Sequence, residues 1–179
     1  MINKVKNWFN NVKNAWMIVG LLIIVGLTLG SNINFWQQRN QAISVFRDDA
    51  EITIQRKVNL SYNMLFLYNT YRDANVEDYE IANLVSYNIE QVLLAVDSVD
   101  VRLNTINSTL TSNLGVLALN FTNVADLDNI NAMNDILSDI IALDLSLSGS
   151  LYNVVAQQFN EMKMQGLGFL SFVGRMPVF

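Results

Sequence analysis

The chain has 179 residues, of which 51% are hydrophobic and 15% are charged, and its formal net charge is −5 at pH 7. This length suffices for one domain with an appendage, and the charged fraction lies well below the roughly 25% of typical globular domains. The sequence contains no cysteine and no histidine, which excludes disulfides, thiolate nucleophiles, zinc fingers and histidine-based catalytic triads.

The charge is divided unevenly along the chain. Residues 1–36 contain three lysines and no acidic residue, whereas residues 37–179 contain eight Lys or Arg and sixteen Asp or Glu residues. The formal charges of the two parts are therefore +3 and −8. A nucleic-acid-binding protein needs clustered basic residues on its folded domain. The distribution argues against a nucleic-acid partner and favours a membrane surface beside the basic part.

The basic segment at the start, residues 1–14, has apolar side chains at helical spacing and lysines on the other side. The apolar positions are Ile2, Val5, Phe9 and Val12. A short basic amphipathic helix of this kind can lie flat on anionic headgroups. The alternative is a frayed tail whose lysines only set the membrane topology.

Residues 15–36 are predicted to form one transmembrane helix. Residues 15–29 are apolar apart from Thr28 and the glycines, and Trp16 and Trp36 bracket the segment at a spacing of twenty residues. A helix of that length rises about 30 Å, the thickness of the hydrocarbon core, and tryptophan prefers the headgroup level. A cleaved signal peptide is the rival interpretation, but residues 28–30 make a poor cleavage site. We therefore expect membrane lipid as a partner.

The same segment carries signals for orientation and for self-association. By the positive-inside rule, the lysines before the span predict a cytoplasmic N-terminus in the inner membrane, with the body on the periplasmic or outer side. Gly26 and Gly30 form a GxxxG motif, which permits close approach of two helices in lipid. The motif is short and also arises by chance, so its support for a homo-oligomer is weak.

Residues 37–165 are predicted to form an elongated antiparallel bundle of three to four long helices. The only proline is Pro177, and apolar residues recur every three or four positions. Breaks near residues 73–75 and 120–123 divide the body into helices over about 40–73, 76–119 and 124–164, with Asn75 and Asn123 as N-caps. Short connections make neighbouring helices antiparallel. The predicted fold class is all-α.

An acidic face is predicted on the last of these helices. No Lys or Arg occurs between Arg102 and Lys163, and Asp128, Asp135 and Asp139 share one helical face. Such a face could bind a divalent cation or a basic partner. A solvated acidic face is the favoured interpretation, since one helix face lacks the converging oxygens that calcium requires. We therefore predict no metal and no cofactor.

The sequence nominates no catalytic residue. Serine is plentiful, but no GxSxG, SxxK or glycine-rich phosphate loop is present. The aspartates have no general-base partner that the sequence identifies. We therefore expect that the protein is not an enzyme.

The C-terminal tail, residues 166–179, is apolar and punctuated by glycines, and it includes Gly168, Phe169 and Phe179. An apolar segment of this kind will not remain in water. The favoured interpretation is that it folds back on the bundle. Docking on a neighbouring subunit and insertion into lipid are the alternatives.

Two segments resemble the LemA family of bacterial envelope proteins. In residues 51–65, Arg56, Lys57, Leu60 and Asn63 match the family's first-helix motif, while Asn59 and Tyr62 replace its acid and its proline. Near the end, the chain resembles the family pattern at Tyr152-Asn153, Phe159-Asn160, Gly168-Phe169 and Phe179. The family's middle motif is not recognisable in residues 128–146, so the resemblance is to a divergent member.

The LemA resemblance implies an N-terminal span with an antiparallel helical domain, and it supplies no catalytic residues. It makes Arg56 and Lys57 candidates for an ion pair with the acidic later helix. The leading hypothesis is a non-enzymatic, membrane-anchored scaffold that self-assembles at the cell envelope. The alternatives are an adaptor that binds another envelope protein through Asp135 and Asp139, a membrane component of a virus particle, and a sensor domain, which a cytoplasmic part of about fourteen residues makes the weakest of these.

Overall fold

The computed structural model describes residues 2–71, 79–165 and 173–179, with the side chains of all of these except residues 2–11, 14, 31, 79 and 165. Nearly all of the described residues are helical, and no strand occurs among them. The predicted all-α class is confirmed. The helices are α1 (Ile2–Val45), α2 (Glu51–Tyr71), α3 (Tyr79–Asp97), α4 (Leu103–Phe121), α5 (Leu127–Ser148) and α6 (Leu151–Gln165), with a π-helical turn at Phe46–Ala50 between α1 and α2.

The chain divides into two compact units, an N-terminal unit (Met1–Asn40) and a helical body (Gln41–Phe179). The N-terminal unit begins the one helix of the described chain that is long and apolar enough to span a membrane. That helix, Ala15–Tyr71, contains an 18-residue window of mean hydropathy 2.0, and 0% of the window is buried. The predicted basic segment continues the same helix without a break from Ile2.

The predicted anchor residues are open to the surroundings. Trp16 is 71% exposed, and the Arg39 guanidinium lies 5.5 Å from the centre of the Trp36 ring. A Cβ added at Gly26 or at Gly30 would meet no atom within 4 Å. No atom of the N-terminal unit therefore crowds the GxxxG face.

The helical body is built around α2, which packs on α3, α4 and α5, while α3 packs on α4. The π-helical turn contacts α6. Aromatic side chains fill much of the interior, and the Phe121 ring lies 6.3 Å from Tyr68 and 5.9 Å from Tyr71. The fully buried large side chains of the body include Tyr68, Tyr152, Phe46, Phe121 and Phe159.

The π-helical turn follows from an unusual spacing of buried residues. Ala42, Phe46, Ala50 and Ile54 are all fully buried, and each follows the one before by four positions. In an α-helix, four residues turn the chain about 40° past a full circle, so a stripe with this spacing would drift away from the core. A π-helical turn contains more residues than an α-helical turn, so it rotates the buried stripe back towards the core. The body therefore keeps the stripe against its interior from α1 into α2.

The prediction of one continuous helix over 76–119 is wrong, because α3 ends at Asp97 and α4 begins at Leu103. The end of α3 is a Schellman motif, in which the Asp100 N–H donates to the Ala95 carbonyl and the Val99 N–H donates to the Val96 carbonyl. The Asp100 carboxylate then accepts the Arg102 N–H at 2.8 Å. These local hydrogen bonds pair the backbone groups at the break. The apolar residues of the predicted single helix therefore lie on two helices, α3 and α4, which pack against each other.

Val99 occupies the position of this motif that usually holds glycine, and its φ is +49°. A β-branched residue in the left-handed region costs roughly 1–2 kcal/mol. We expect Val99→Gly to raise the free energy of unfolding by up to about 1 kcal/mol, after the loss of chain entropy by glycine is deducted. Chemical denaturation measures this, with the exposed Val101→Gly as the control. Equal destabilisation by both substitutions would contradict the prediction.

The prediction of one helix over 124–164 is also wrong, because α5 ends at Ser148 and α6 starts at Leu151, with a bend of 43° between them. The Asn153 amide donates to the carbonyls of Leu147 and Ser148, both at 2.9 Å, and so satisfies groups that a continuous helix would have paired. The N-cap of α5 is Asp126, which accepts the Asn129 N–H at 3.0 Å, and not Asn123 as predicted. The predicted break at 73–75, with Asn75, lies outside the described residues.

Candidate functional site: a buried lysine–aspartate cluster and a bound C-terminal segment

A lysine lies in the core of the helical body. Lys57 of α2 is 0% exposed, and its ammonium group lies 2.7 and 2.9 Å from the two carboxylate oxygens of Asp144 on α5. It also donates to the Asn107 carbonyl at 3.0 Å and to the Thr111 hydroxyl, both on α4. The ion pair predicted between the Arg56/Lys57 pair and the acidic later helix therefore forms, through Lys57 and Asp144.

The Asp144 carboxylate is satisfied by the same neighbours. It accepts hydrogen bonds from the Asn107 amide at 2.9 Å and from the Thr111 hydroxyl, in addition to those from Lys57. Three helices thus converge on one ion pair, which we call the Lys57 cluster (Lys57, Asn107, Thr111 and Asp144). The three N–H groups of an ammonium are matched by its carbonyl, hydroxyl and carboxylate acceptors. All three N–H groups of Lys57 are therefore engaged within the protein.

Burial governs the titration of this lysine. Removal from water lowers the pKa of Lys57 below its usual 10.5, and the charge and hydrogen bonds of Asp144 offset only part of that effect. The Asp144 side chain is 25% exposed, whereas the Lys57 side chain is fully buried. The two members of the pair therefore differ in their access to water.

A cavity of about 330 Å³ adjoins the Lys57 cluster. It is lined by residues of α4 and α5 that include Asn107, Thr111, Ser112 and Asp144, with Phe179 at one side. The Oδ1 atom of Asn107 is buried and has no hydrogen-bond partner within the described residues. Asp144, the partly exposed member of the ion pair, is thus one of the residues that line the cavity.

The other candidate interaction residues on α2 and α5 are exposed. Arg56 and Asp139 line an open groove of about 500 Å³ between these helices, together with Asn59 and Leu60. Asp135 lies on α5 and is also exposed. No salt bridge joins Arg56 to either aspartate in the described part of the chain.

The end of the chain is bound to α6 in a second site. Residues 173–179, here called the terminal segment, place the buried side chains of Val173 and Met176 on the body. Of the predicted tail residues, Phe179 belongs to this segment, whereas Gly168 and Phe169 lie outside the described residues. The favoured interpretation, a tail that folds back on the body, is confirmed for the terminal segment.

Three side chains of α6 hold the terminal segment by its main chain. The Asn160 amide donates to the Met176 carbonyl and accepts the Met176 N–H, both at 2.9 Å. Asn153 does the same for Phe179, at 2.9 and 2.8 Å. The Tyr152 hydroxyl donates to the Pro177 carbonyl at 2.8 Å. We call this surface of α6 the segment groove (Tyr152, Asn153, Ala156, Phe159 and Asn160).

Aromatic contacts close the segment groove at its N-terminal end. The Tyr152 ring lies 5.1 Å from Phe46 and 6.0 Å from Phe179. Burial raises the pKa of Tyr152, so its hydroxyl remains a neutral donor at ordinary pH. The Asp49 carboxylate of the π-helical turn also accepts the Tyr152 N–H at 3.4 Å. The segment groove, the π-helical turn and the terminal segment therefore form one packed cluster.

Sequence reasoning found Lys57 but missed most of its partners. Asp144 was one of several aspartates in the stretch without basic residues, and spacing on one helix favoured Asp135 and Asp139 instead. The roles of Asn107, Thr111 and Asn160 depend on contacts between helices and leave no local pattern. The LemA-like pairs Tyr152-Asn153 and Phe159-Asn160 were the available signal for the segment groove.

Comparisons with known proteins yield no relative. No family model matches the chain, and no curated protein or solved structure matches it either. Within the described residues, no group of three or more Asp and Glu side chains is placed to hold a metal ion. The function is therefore inferred from the two units themselves.

Proposed function

We propose that the protein is a non-enzymatic, membrane-anchored helical scaffold that self-associates at the cell envelope. One observation carries the proposal: the apolar window of mean hydropathy 2.0 has none of its residues buried by the protein. An apolar surface of that extent is not left exposed to water. The apolar helix is long enough to span the hydrocarbon core of a lipid bilayer. Residues 15–36 would be the span.

The interior of the body supports a structural role over a catalytic one. The ammonium of Lys57 is fully engaged by acceptors on α4 and α5, and the segment groove is filled by the terminal segment. Several residues that match LemA motifs serve these contacts, namely Lys57, Tyr152, Asn153, Phe159 and Asn160. A motif whose residues maintain packing fits an antiparallel helical bundle that acts as a scaffold.

The proposed location is the inner membrane, with a cytoplasmic N-terminus and the body on the periplasmic or outer side. The lysines that precede residue 15 support this orientation through the positive-inside rule. Self-association is supported by the open face at Gly26 and Gly30. It is also supported by exposed apolar side chains at helical spacing on α3, namely Leu84, Tyr87 and Leu94.

The anchor is tested by placing charge in the apolar window. Ile23→Arg combined with Leu27→Arg should move the protein from the membrane pellet to the alkaline carbonate supernatant, because each arginine costs about 2.5–3.5 kcal/mol at the centre of a span. The matched control is Ile52→Arg combined with Phe66→Arg, since these side chains are similarly exposed but lie on the body. If both double variants stay in the membrane, the window is not the anchor.

Self-association is tested by the mass of the full-length protein in mild detergent. Light scattering should give a protein mass that is a multiple of 20.2 kDa. Gly26→Ile combined with Gly30→Ile reports whether the glycine face contributes, because bulky side chains prevent close helix approach. A monomer at every protein concentration would contradict the scaffold proposal.

The exposed carboxylates of Asp135 and Asp139 favour a second candidate function, an adaptor that binds a basic partner in the envelope. Asp135→Lys combined with Asp139→Lys should then abolish co-purification of that partner. Glu90→Lys combined with Asp97→Lys is the matched control on α3, where both acids are also exposed. Unchanged co-purification with both double variants would contradict the adaptor function.

A further inference from the structure

The cavity beside the Lys57 cluster, here called the α4–α5 cavity, has the size and the lining of a small-molecule site. Its volume is about 330 Å³, and ligand pockets in proteins measure about 300–1,000 Å³. The volume therefore suits a single ring and not a long chain. Serine, threonine and asparagine side chains line it together with Leu147 and Phe179. Polar groups of this kind fix the orientation of a ligand, and apolar groups cover the rest of its surface.

The charge at the wall of the α4–α5 cavity is already neutralised. Asp144 is the only charged side chain among the lining residues, and its carboxylate lies 2.7 Å from the ammonium of Lys57. A bound cation would be repelled by Lys57, and a bound anion would be repelled by Asp144. The N–H groups of Lys57 are all engaged, so none remains for an anion. The electrostatics therefore favour a neutral ligand.

The hydrogen-bonding groups at the wall are mainly acceptors. Ser108 and Ser148 donate their hydroxyl hydrogens to main-chain carbonyls of their own helices, at 2.9 and 2.8 Å. The Thr111 hydroxyl donates to Asp144. Each of these three hydroxyl oxygens still has a lone pair to offer, whereas the Ser112 hydroxyl can also donate. The matching ligand therefore carries several O–H or N–H donors.

A buried acceptor in the same lining lacks a partner. Asn107 is 3% exposed, and its amide donates to Asp144 at 2.9 Å. The Oδ1 atom of the same side chain has no hydrogen-bond partner within the described residues. Buried polar groups of native proteins are ordinarily paired with protein, water or a ligand. A donor on an occupant of the α4–α5 cavity would supply this pair.

We propose that the α4–α5 cavity binds one neutral sugar ring. A sugar ring carries no charge, bears several hydroxyl groups that both donate and accept, and has an apolar face of C–H groups. The hydroxyl groups match the acceptors of the wall, and the C–H face matches Leu147 and Phe179. A free sugar and the end of a glycan share this chemistry. The site goes beyond the scaffold proposal and does not depend on self-association.

The test is saturation-transfer-difference NMR on the full-length protein in lauryldimethylamine oxide, a detergent without a sugar head group. The probes are D-glucose and N-acetyl-D-glucosamine, and we expect saturation transfer to the ring protons of at least one of them with a millimolar dissociation constant. Charged analogues test the neutral character of the site. Glucuronate, and glucosamine at mildly acidic pH, should bind at least tenfold more weakly than the better neutral probe.

Substitutions that fill the cavity locate the binding. Ser112→Phe on α4 and Ser148→Phe on α5 replace exposed side chains that line the cavity, so each variant should fold. Each should weaken binding of the sugar at least tenfold. Thr109→Phe is the matched control, because Thr109 is also exposed on α4 but is not among the lining residues. Binding by this control should equal that of the wild type.

Oligosaccharides distinguish the two sources of the ring. If maltotriose or chitotriose binds as tightly as the matching monosaccharide, the ligand is the end of a glycan, and if neither binds, it is a free sugar. The proposal is overturned if neither neutral monosaccharide gives saturation transfer. It is also overturned if the charged analogues bind as tightly as the neutral probes, or if the cavity variants bind as tightly as Thr109→Phe.

Discussion

Asp144→Ala should lower the free energy of unfolding by about 3–5 kcal/mol, because it leaves the ammonium of Lys57 buried without a counter-ion. Lys57 is 0% exposed and has no alternative carboxylate within the described residues. Urea denaturation of the full-length protein in detergent, followed by circular dichroism, measures the loss. Asp139→Ala is the matched control on the same helix, where an exposed side chain should change stability by less than about 0.5 kcal/mol. A loss below about 1 kcal/mol for Asp144→Ala would refute the importance of the pair.

The reciprocal substitution should be milder. Lys57→Met removes the buried charge and leaves Asp144, which is partly exposed, with the Asn107 and Thr111 hydrogen bonds. Methionine also fills most of the volume of the lysine side chain. We therefore expect Lys57→Met to destabilise the protein less than Asp144→Ala does. Equal losses of unfolding free energy for Lys57→Met and Asp144→Ala would mean that only the attraction between the two charges contributes to stability.

The pair also predicts a pH dependence. Because the pKa of Lys57 is lowered in the folded state, the unfolded chain binds more protons between that pKa and 10.5. The free energy of unfolding then rises with pH across this interval, and the cost of burying the charge is fully present below it. The stability of the wild type relative to Lys57→Met should therefore increase as the pH rises towards 10.5. A relative decrease would show that the folded-state pKa is raised instead.

Tyr152→Ala should lower the free energy of unfolding by about 3–5 kcal/mol, as expected for removal of a buried aromatic side chain. The substitution deletes ring contacts with Phe46 and Phe179 and the hydrogen bond to the Pro177 carbonyl. It should also release the terminal segment, which protease digestion followed by mass spectrometry detects. Tyr152→Phe separates the two effects and should cost only about 1–3 kcal/mol, the cost of leaving the buried carbonyl without a donor. A release of the segment without loss of stability would contradict this account.

The sequence predicted the helical class and one long apolar helix, because both depend on local composition and periodicity. It failed at the interior helix ends for a physical reason. Neither break contains proline, and each is built from hydrogen bonds that local patterns do not specify. At Val99 a β-branched residue occupies a glycine position, and at Asn153 a side chain from the next helix satisfies the end of α5.

The candidate site residues could also be predicted only in part from the sequence. Lys57 could be nominated because it matches the LemA-like motif of the first helix, and a later stretch of the chain has aspartates without basic residues. The identity of that partner could not, because Asp144 reaches Lys57 only once α2 and α5 are packed. The terminal segment could be predicted to leave water from its composition. Its attachment by Asn153 and Asn160 requires α6 to be a separate helix, whereas the apolar periodicity predicts one helix over 124–164.

The Lys57 cluster has a consequence for the uniqueness of the fold. Apolar seams that repeat every seven residues let a helix slide by one heptad with little loss of apolar contact. If α5 slid along α2 by seven residues, Leu137 would stand opposite Lys57 in place of Asp144. A bare ammonium would then be buried against leucine, at a cost of several kcal/mol. One ion pair thus makes a single alignment of these repetitive helices far more stable than its nearest competitors.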